Sequence, residues 1–175
     1  LNLWTHNALR IVILLLGQLI HLYAHPPAPR FENISIEQGL SQRFVLEVLT
    51  DCQGFLWVAT EDGLNKYDGY GFKTFRHDPE NPNSLGGNVL RQVLASHALG
   101  GHKLWICTVG GGLSCLDLAT ETFINYQHDP DDSTSIRNNS VWIVEEAVFN
   151  GTPELWVGVV GGLDRLNYET GEFKH

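Results

Sequence analysis

The stretch GFLWVATEDGLNKYDG, residues 54–69, returns twice in altered form later in the chain. The later copies are KLWICTVGGGLSCLD, residues 103–117, and ELWVGVVGGLDRLN, residues 154–167. Their Leu-Trp pairs are separated by 48 and 51 residues, and a Gly-Leu pair follows each one. A period of about 50 residues is typical of stacked helical repeats or of the small sheets of a β-propeller. The repeat residues interpreted as structural are Trp57, Trp105, Trp156, Gly63, Gly112 and Gly162.

The length of the apolar runs favours strands over helices. Helical repeats need apolar stripes with a 3.6-residue period over ten or more positions. Here the apolar runs last about five residues and end at Gly or Asp-Gly, which is typical of short strands and tight turns. Four strands per repeat are predicted, at 45–49, 56–60, 64–68 and 72–76, then 90–94, 104–108, 113–117 and 123–127, and then 141–145, 155–158, 163–167 and from 173 onward.

The composition of the second strand of each repeat predicts stacked sheets. LWVAT, LWICT and LWVGV place apolar side chains on both faces of a strand, whereas a half-exposed sheet alternates apolar and polar residues. The sequence therefore predicts an all-β chain, a partial β-propeller of about three four-stranded blades at 43–78, 88–129 and 139–175. The third blade is expected to be incomplete, the propeller truncated, and residues 31–36 to be a strand donated for ring closure.

The N-terminal segment has the pattern of a secretory signal. Arg10 precedes an apolar run that is too short to span a bilayer, and a Pro-rich stretch follows. An apolar signal helix is predicted at 1–24 and a linker at 25–30. An uncleaved signal anchor and a buried core helix are the alternatives.

The overall charge disfavours one class of partner. The 175 residues carry a formal net charge of −9, which repels phosphate backbones, so no nucleic-acid binding is expected in this region. The three cysteines form no metal or redox motif. Cys107 and Cys115 fall on neighbouring predicted strands and could pair, or they could be small core residues.

The polar motifs predict turns better than they predict chemistry. His-Asp-Pro at 77–79 and 128–130 could supply metal ligands, but Asp-Pro commonly begins a turn. Glu61 and Asp62 could form an acid–base pair, but adjacent residues rarely converge and the later repeats have neither. No catalytic residue, metal site or cofactor is predicted.

One end of the predicted blades is a candidate ligand-binding rim. In an up-and-down sheet, the turn between the second and third strands emerges at the same end as the connection to the next sheet. This rim would bring together Arg43, Glu61, Asp62, Asn88 and Asn139, which could hydrogen-bond a polar or anionic sugar. Alternatively, the two asparagine side chains only bridge loop backbone.

The motifs LW[IV]x[ST], GGLxR and HDPxxxxSLxxN resemble the two-component regulator propeller repeats of bacterial hybrid sensor histidine kinases. The resemblance covers residues 31–175, with Arg165 supplying the basic residue of GGLxR and Lys66 in its place in the first copy. Arg43 departs from the pattern where the later copies have asparagine. Val159-Val160 departs from it where the first copy has Thr-Glu, and these departures could alter a loop.

The resemblance implies the periplasmic, extracytoplasmic sensor region of an inner-membrane protein. The ligand would be a small molecule or oligosaccharide, and the receptor would act as a homodimer. Its membrane attachment would lie in the signal segment and in parts beyond these residues. The full-length protein would be a histidine kinase, with no enzymatic activity within these 175 residues. The alternative is an exported propeller scaffold, or a propeller lyase or hydrolase, without a kinase module.

Overall fold

The structure is a computed structural model that describes residues 29–175. The predicted signal segment 1–24 and most of the linker lie outside these residues. After a 3₁₀ turn at Ile36–Gln38, the strands are β1 (Val45–Thr50), β2 (Leu56–Thr60), β3 (Gly63–Tyr67), β4 (Phe72–Phe75), β5 (Leu90–Ala95), β6 (Lys103–Thr108), β7 (Leu113–Asp117), β8 (Thr122–Tyr126), β9 (Val141–Phe149), β10 (Thr152–Val159), β11 (Gly162–Leu166) and β12 (Phe173–Lys174).

The strands form three four-stranded antiparallel sheets in chain order, as predicted. Sheet one is β1-β2-β3-β4, sheet two is β5-β6-β7-β8, and sheet three is β9-β10-β11-β12. The first strands of successive sheets are in contact, β1 with β5 and β5 with β9. This up-and-down order with neighbouring first strands confirms the all-β prediction of successive propeller blades.

The sheets pack face to face through apolar clusters in which the repeat tryptophans are central. Trp57 and Leu64 of sheet one pack with Leu104 and Ile106 of sheet two, and all four are at most 1% exposed. Trp105 of sheet two packs in the same way in a second cluster that contains β10 residues of sheet three. Apolar side chains on both faces of the middle sheet are therefore buried, as the second-strand pattern predicts.

Aromatic residues continue each tryptophan contact into the next sheet. The ring centroid of Trp57 lies 5.6 Å from that of Phe75, which lies 5.9 Å from that of Phe123 in sheet two. The second series joins Trp105, Tyr126 and Phe173 of sheet three at centroid distances of 6.0 and 5.7 Å. Each aromatic pair adds about 0.5–1.5 kcal/mol beyond its buried area.

Within residues 29–175, no sheet packs against the outward face of sheet three. Leu163 is 54% exposed, whereas Leu64 and Leu113 at the same repeat position are fully buried. Ile143 on β9 is 56% exposed, and Trp156 is half-buried. The exposed fraction of each repeat residue therefore follows from whether another sheet covers its face.

The loops between sheets also hydrogen-bond the fourth strand of the following sheet. The amide of Phe123 donates to the carbonyl of Asn83 (3.0 Å), and the amide of Phe173 donates to the carbonyl of Thr134 (2.7 Å). A carboxylate adds a link at the opposite end, where Glu146 of β9 accepts from the backbone of His97 and Ala98 in sheet two.

Two predicted boundaries differ from the structure. Residues 31–35 form no strand, and a 3₁₀ turn capped by Ser35 follows them. None of the three sheets accepts this segment as a strand, so donation for ring closure stays a prediction. The second difference is a longer β9–β10 hairpin, because Asn150 and Gly151 both adopt positive φ, at 51° and 82°. Such Asn-Gly turns join long antiparallel strands.

The repeat glycines also differ between the sheets. Gly63 and Gly112 have φ of 101° and 81°, and a Cβ would lie 2.5 and 2.1 Å from the carbonyl oxygens of Phe75 and Tyr126. At the third position, positive φ occurs instead at Gly161, which lies in the turn before β11. The predicted structural role therefore holds at the first two positions and moves by one residue at the third.

Candidate functional site

The predicted rim is formed at one end of the three sheets. The amide of Gly63 donates to the carbonyl of Asn88 (2.8 Å), and the amide of Gly112 donates to the carbonyl of Asn139 (2.8 Å). The turn after the second strand of one sheet therefore lies against the segment that enters the next sheet. We call the β2–β3, β6–β7 and β10–β11 turns, together with the segments entering β1, β5 and β9, the rim.

Asn88 and Asn139 support the loops of the rim. The side-chain oxygen of Asn88 accepts from the amide of His77 (2.7 Å), and that of Asn139 accepts from the amide of His128 (2.6 Å). Both asparagines therefore bridge loop backbone, the alternative that the sequence left open. A ligand could therefore hydrogen-bond mainly to the side-chain amide NH₂ groups of these two asparagines.

The two His-Asp-Pro segments form matching hydrogen-bonded turns. The Nδ1 of His77 donates to the carbonyl of Leu85 (2.8 Å), and that of His128 donates to the carbonyl of Ile136 (2.9 Å). Ser84 Oγ accepts from the amide of Asp78, as Ser135 Oγ does from Asp129. Because Nδ1 of each imidazole is committed to a backbone carbonyl and each serine accepts a turn amide, the geometry supports the turn interpretation.

The remaining predicted rim residues differ in their contacts. Asp62 forms a two-point ion pair with Arg76, at 3.2 Å to Nε and 2.9 Å to Nη2, so its carboxylate is already occupied. Glu61 forms no hydrogen bond within residues 29–175, and its Oε1 lies 3.9 Å from Nη1 of Arg91. Arg43 is exposed and has no polar partner in that range. The structure thus brings Glu61, but not Asp62 or the asparagines, to a group with spare hydrogen-bonding capacity.

A bulge at the start of each first strand places one residue on the rim. The pairing register shifts around Leu46 in β1, Arg91 in β5 and Trp142 in β9, so these three occupy the same repeat position. The Cζ of Arg91 lies 5.0 Å from the ring centroid of Trp142, within cation–π range. Arg91 and Trp142 are not among the residues predicted for the rim, although each comes three residues after a predicted rim asparagine.

Another repeated polar position, on the third strand of each sheet, is structural. Asn65, Ser114 and Asp164 are completely buried, and each accepts the amide of a residue entering its sheet: Ser41, Gly86 and Arg137, respectively. Asp164 also lies 3.2 Å from Nε of Arg137 and 2.8 Å from Nδ1 of His175. Such a paired buried carboxylate fixes the entering segment, because its oxygens have partners inside the fold.

The cysteines are free thiols, and two of them are core residues. Cys107 and Cys115 are buried and unbridged, whereas Cys52 is exposed. Burial raises the pKa of the Cys115 thiol to about 11 and raises the pKa of Cys107 further. Since the thiolate is the nucleophile, neither buried cysteine is suited to covalent chemistry.

Residues 29–175 contain neither a metal-binding cluster nor a membrane-spanning helix. No group of three or more His, Cys, Asp or Glu residues in this range is arranged to hold a metal ion. No helix there is long and apolar enough to cross a membrane. The rim brings together an arginine, an exposed tryptophan and a carboxylate.

The described residues form an all-β chain of successive four-stranded antiparallel sheets, the architecture predicted for propeller blades. Over 82% of its length, the chain is similar to the extracellular domain of a hybrid two-component system of B. thetaiotaomicron, with 37% identity and a TM-score of 0.73. Two other extracellular domains from that organism, of a one-component and a hybrid two-component system, are 21% and 20% identical with TM-scores of 0.59 and 0.60, and support the fold alone.

A stretch of 55 residues, 31% of the chain, is 46% identical to histidine kinase P4 of Formosa agariphila. No protein-family model matches the chain. The chain spans 20% of the first solved domain and 4% of the kinase. The comparisons confirm the predicted resemblance to the extracytoplasmic sensor regions of two-component systems.

Proposed function

We propose that residues 31–175 belong to the ligand-sensing region of a membrane-bound hybrid sensor histidine kinase. The main support is the 37% identity, over 82% of the chain, to an extracellular domain of a hybrid two-component system. The proposed ligand is a small polar molecule, with a carbohydrate as the leading candidate. The kinase activity is assigned to parts of the protein beyond these residues, and the receptor is proposed to act as a homodimer.

The rim is the proposed ligand contact within these residues. Trp142 is 52% exposed and offers an apolar ring surface, and Glu61 and Arg91 beside it offer an acceptor and several donors. Small-ligand sites combine such an apolar surface with a few convergent polar groups. Asp62, Asn88 and Asn139 are proposed to hold the surrounding loops, and Arg43 to contribute an additional exposed cation.

A phosphorylation assay on the full-length protein in membranes tests this function. Membranes carrying the protein are incubated with labelled ATP and a panel of oligosaccharides. We expect at least one oligosaccharide to change phosphate incorporation, and we expect Trp142→Ala to abolish the response. Ile124→Ala is the control, because Ile124 is comparably exposed (54%) but lies on β8, the fourth strand of sheet two.

If the full-length protein incorporated no phosphate, either with or without the oligosaccharides, the kinase assignment would be rejected. The coding sequence after His175 distinguishes the receptor from the remaining alternative, an exported protein without a kinase module. A membrane span and a kinase core favour the receptor, whereas a stop after the last sheet favours an exported scaffold, lyase or hydrolase.

A further inference from the structure

The side chain of Arg91 is a partly buried cation on the rim that lacks a hydrogen-bond partner among the described residues. Its guanidinium forms no hydrogen bond with any residue that the structure describes, and its Nε is buried without a partner. The side chain as a whole is 26% exposed. Guanidinium nitrogens only donate hydrogen bonds, so a ligand acceptor at the terminal nitrogens is what would complete the hydrogen bonding of Arg91.

The neighbours of Arg91 hold it in place without using its donors. Trp142 supports the guanidinium from the next sheet at 5.0 Å, and half of its own surface stays exposed. The separation of 3.9 Å from Glu61 is too long for a hydrogen bond. The guanidinium of Arg91 is thus held beside the indole ring, and its N–H donors form no hydrogen bond within the described residues.

The geometry points to an acidic sugar as the rim ligand, with its carboxylate on Arg91 and its ring packed against Trp142. This inference rests on the proposed function and specifies its ligand class. An arginine fork matches a carboxylate with two parallel hydrogen bonds, and the C–H faces of a sugar ring are apolar enough to pack on an indole. A neutral sugar would offer Arg91 only hydroxyl acceptors, which form weaker hydrogen bonds than a carboxylate does.

Substitution of Glu61 is expected to change ligand affinity in opposite directions for acidic and neutral ligands. Its carboxylate lies beside the group that would bind the ligand carboxylate, so it repels an acidic ligand and accepts hydroxyl hydrogen bonds from a neutral one. Glu61→Gln is expected to strengthen the binding of an acidic oligosaccharide. For a neutral oligosaccharide, the same substitution is expected to weaken binding.

The experiment is calorimetric titration of the full-length protein with a panel of oligosaccharides that contain glucuronate, galacturonate, mannuronate or iduronate. Each is paired with its carboxyl-reduced counterpart, which keeps the ring and loses the charge. We expect one acidic member to bind about tenfold or more tightly than its reduced form, in keeping with a charge-assisted hydrogen bond. Arg91→Gln should remove this preference, Trp142→Ala should weaken both forms, and Glu61→Gln should tighten the acidic form.

Arg165→Gln is the matched control. Arg165 also lies over a tryptophan, Trp156, at 5.8 Å, but its Nη1 is already 3.1 Å from Glu154 on the outward face of sheet three. This substitution should leave the preference for the acidic form intact. Thermal unfolding of each variant separates loss of binding from loss of folding, and Arg91→Lys retains the charge if Arg91→Gln does not fold.

The inference is overturned if no acidic oligosaccharide binds at millimolar concentration, if acid and reduced forms bind equally, or if Arg91→Gln and Arg91→Lys both keep the preference. These results leave the sensor proposal standing when a neutral ligand still changes phosphorylation. Conversely, a chain that binds the acidic sugar through Arg91 but shows no kinase activity rejects the sensor proposal alone.

Discussion

At the scale of single residues, the same repeat position serves different purposes in successive sheets. Asp51 accepts from Nε1 of Trp57 at 2.7 Å and also from two backbone amides of the β1–β2 turn. The corresponding residue in sheet two is Ser96, whose hydroxyl donates to Glu146. The Nε1 of Trp105 is consequently buried without a partner among the described residues. One carboxylate thus determines whether the tryptophan has a hydrogen bond.

Asp51→Ala is expected to destabilise the extracytoplasmic region by about 1–3 kcal/mol, because it leaves a buried indole N–H and a turn without their acceptor. Asp117→Ala is the control, since Asp117 also accepts two turn amides but no indole. Urea unfolding should give a lower midpoint for the Asp51 variant than for the control. Equal midpoints would show that the bond to Trp57 contributes nothing measurable.

The three thiols are expected to differ in reactivity. Cys52 is exposed, whereas burial removes Cys107 and Cys115 from solvent and raises the pKa of both thiols, that of Cys115 to about 11. A maleimide reagent at pH 7 should therefore modify Cys52 but neither Cys107 nor Cys115 in the native extracytoplasmic region, and all three of these residues in denaturant, as mapped by peptide mass spectrometry. Native modification of Cys115 would contradict its position between sheets two and three.

At the scale of strands and turns, the repeat made most of the fold predictable. The predicted strands of the three repeats lie within one residue of the observed ones except in the β9–β10 hairpin, and the donated strand predicted at 31–36 is not formed within the described residues. In that hairpin, Asn150-Gly151 is a typical turn signal. The shorter strands predicted there follow the strand lengths of the other two repeats. The contact between Arg91 and Trp142 was not predictable, because a bulge in each of two strands creates it across 51 residues.

The link made by Glu146 gives the fold a predictable pH dependence. Burial raises the pKa of this carboxyl, but hydrogen bonds from Ser96, Tyr168, Ala98 and His97 outweigh burial and hold it below its ordinary value of 4.5. A carboxyl with a lowered folded-state pKa stabilises the fold above its unfolded pKa, and this contribution is lost as the pH falls through the folded pKa.

Between pH 5 and pH 3, the extracytoplasmic region should therefore lose stability more steeply with native Glu146 than with Glu146→Gln. Glu145→Gln, on the exposed side of the same strand, is the control and should follow the wild type. Urea unfolding at each pH provides the measurement. Parallel curves for wild type and Glu146→Gln would reject a role for this carboxylate in joining sheets two and three.

At the scale of the whole molecule, each sheet depends on its neighbours for burial. The outward face of sheet three exposes Ile143 and Leu163 at positions that are covered in a stack. Apolar faces of this kind promote association. Residues 25–175 produced alone are therefore expected to self-associate rather than to melt cooperatively as a monomer.

The double variant Ile143→Lys, Leu163→Lys should reduce this self-association in light-scattering measurements. Ile124→Lys is the control, because Ile124 is equally exposed (54%) but lies on β8 of sheet two rather than on the outward face of sheet three. A monomeric wild-type segment with one cooperative thermal transition would contradict the dependence of each sheet on the next.

An experimental structure of the complete extracytoplasmic region tests the stacking of successive sheets most directly. We expect Trp57, Trp105 and Trp156 in equivalent places between neighbouring sheets, with Ile143 and Leu163 covered by a further sheet. Tryptophans in unrelated surroundings, or a second layer of strands packed as a two-sheet sandwich, would contradict the account.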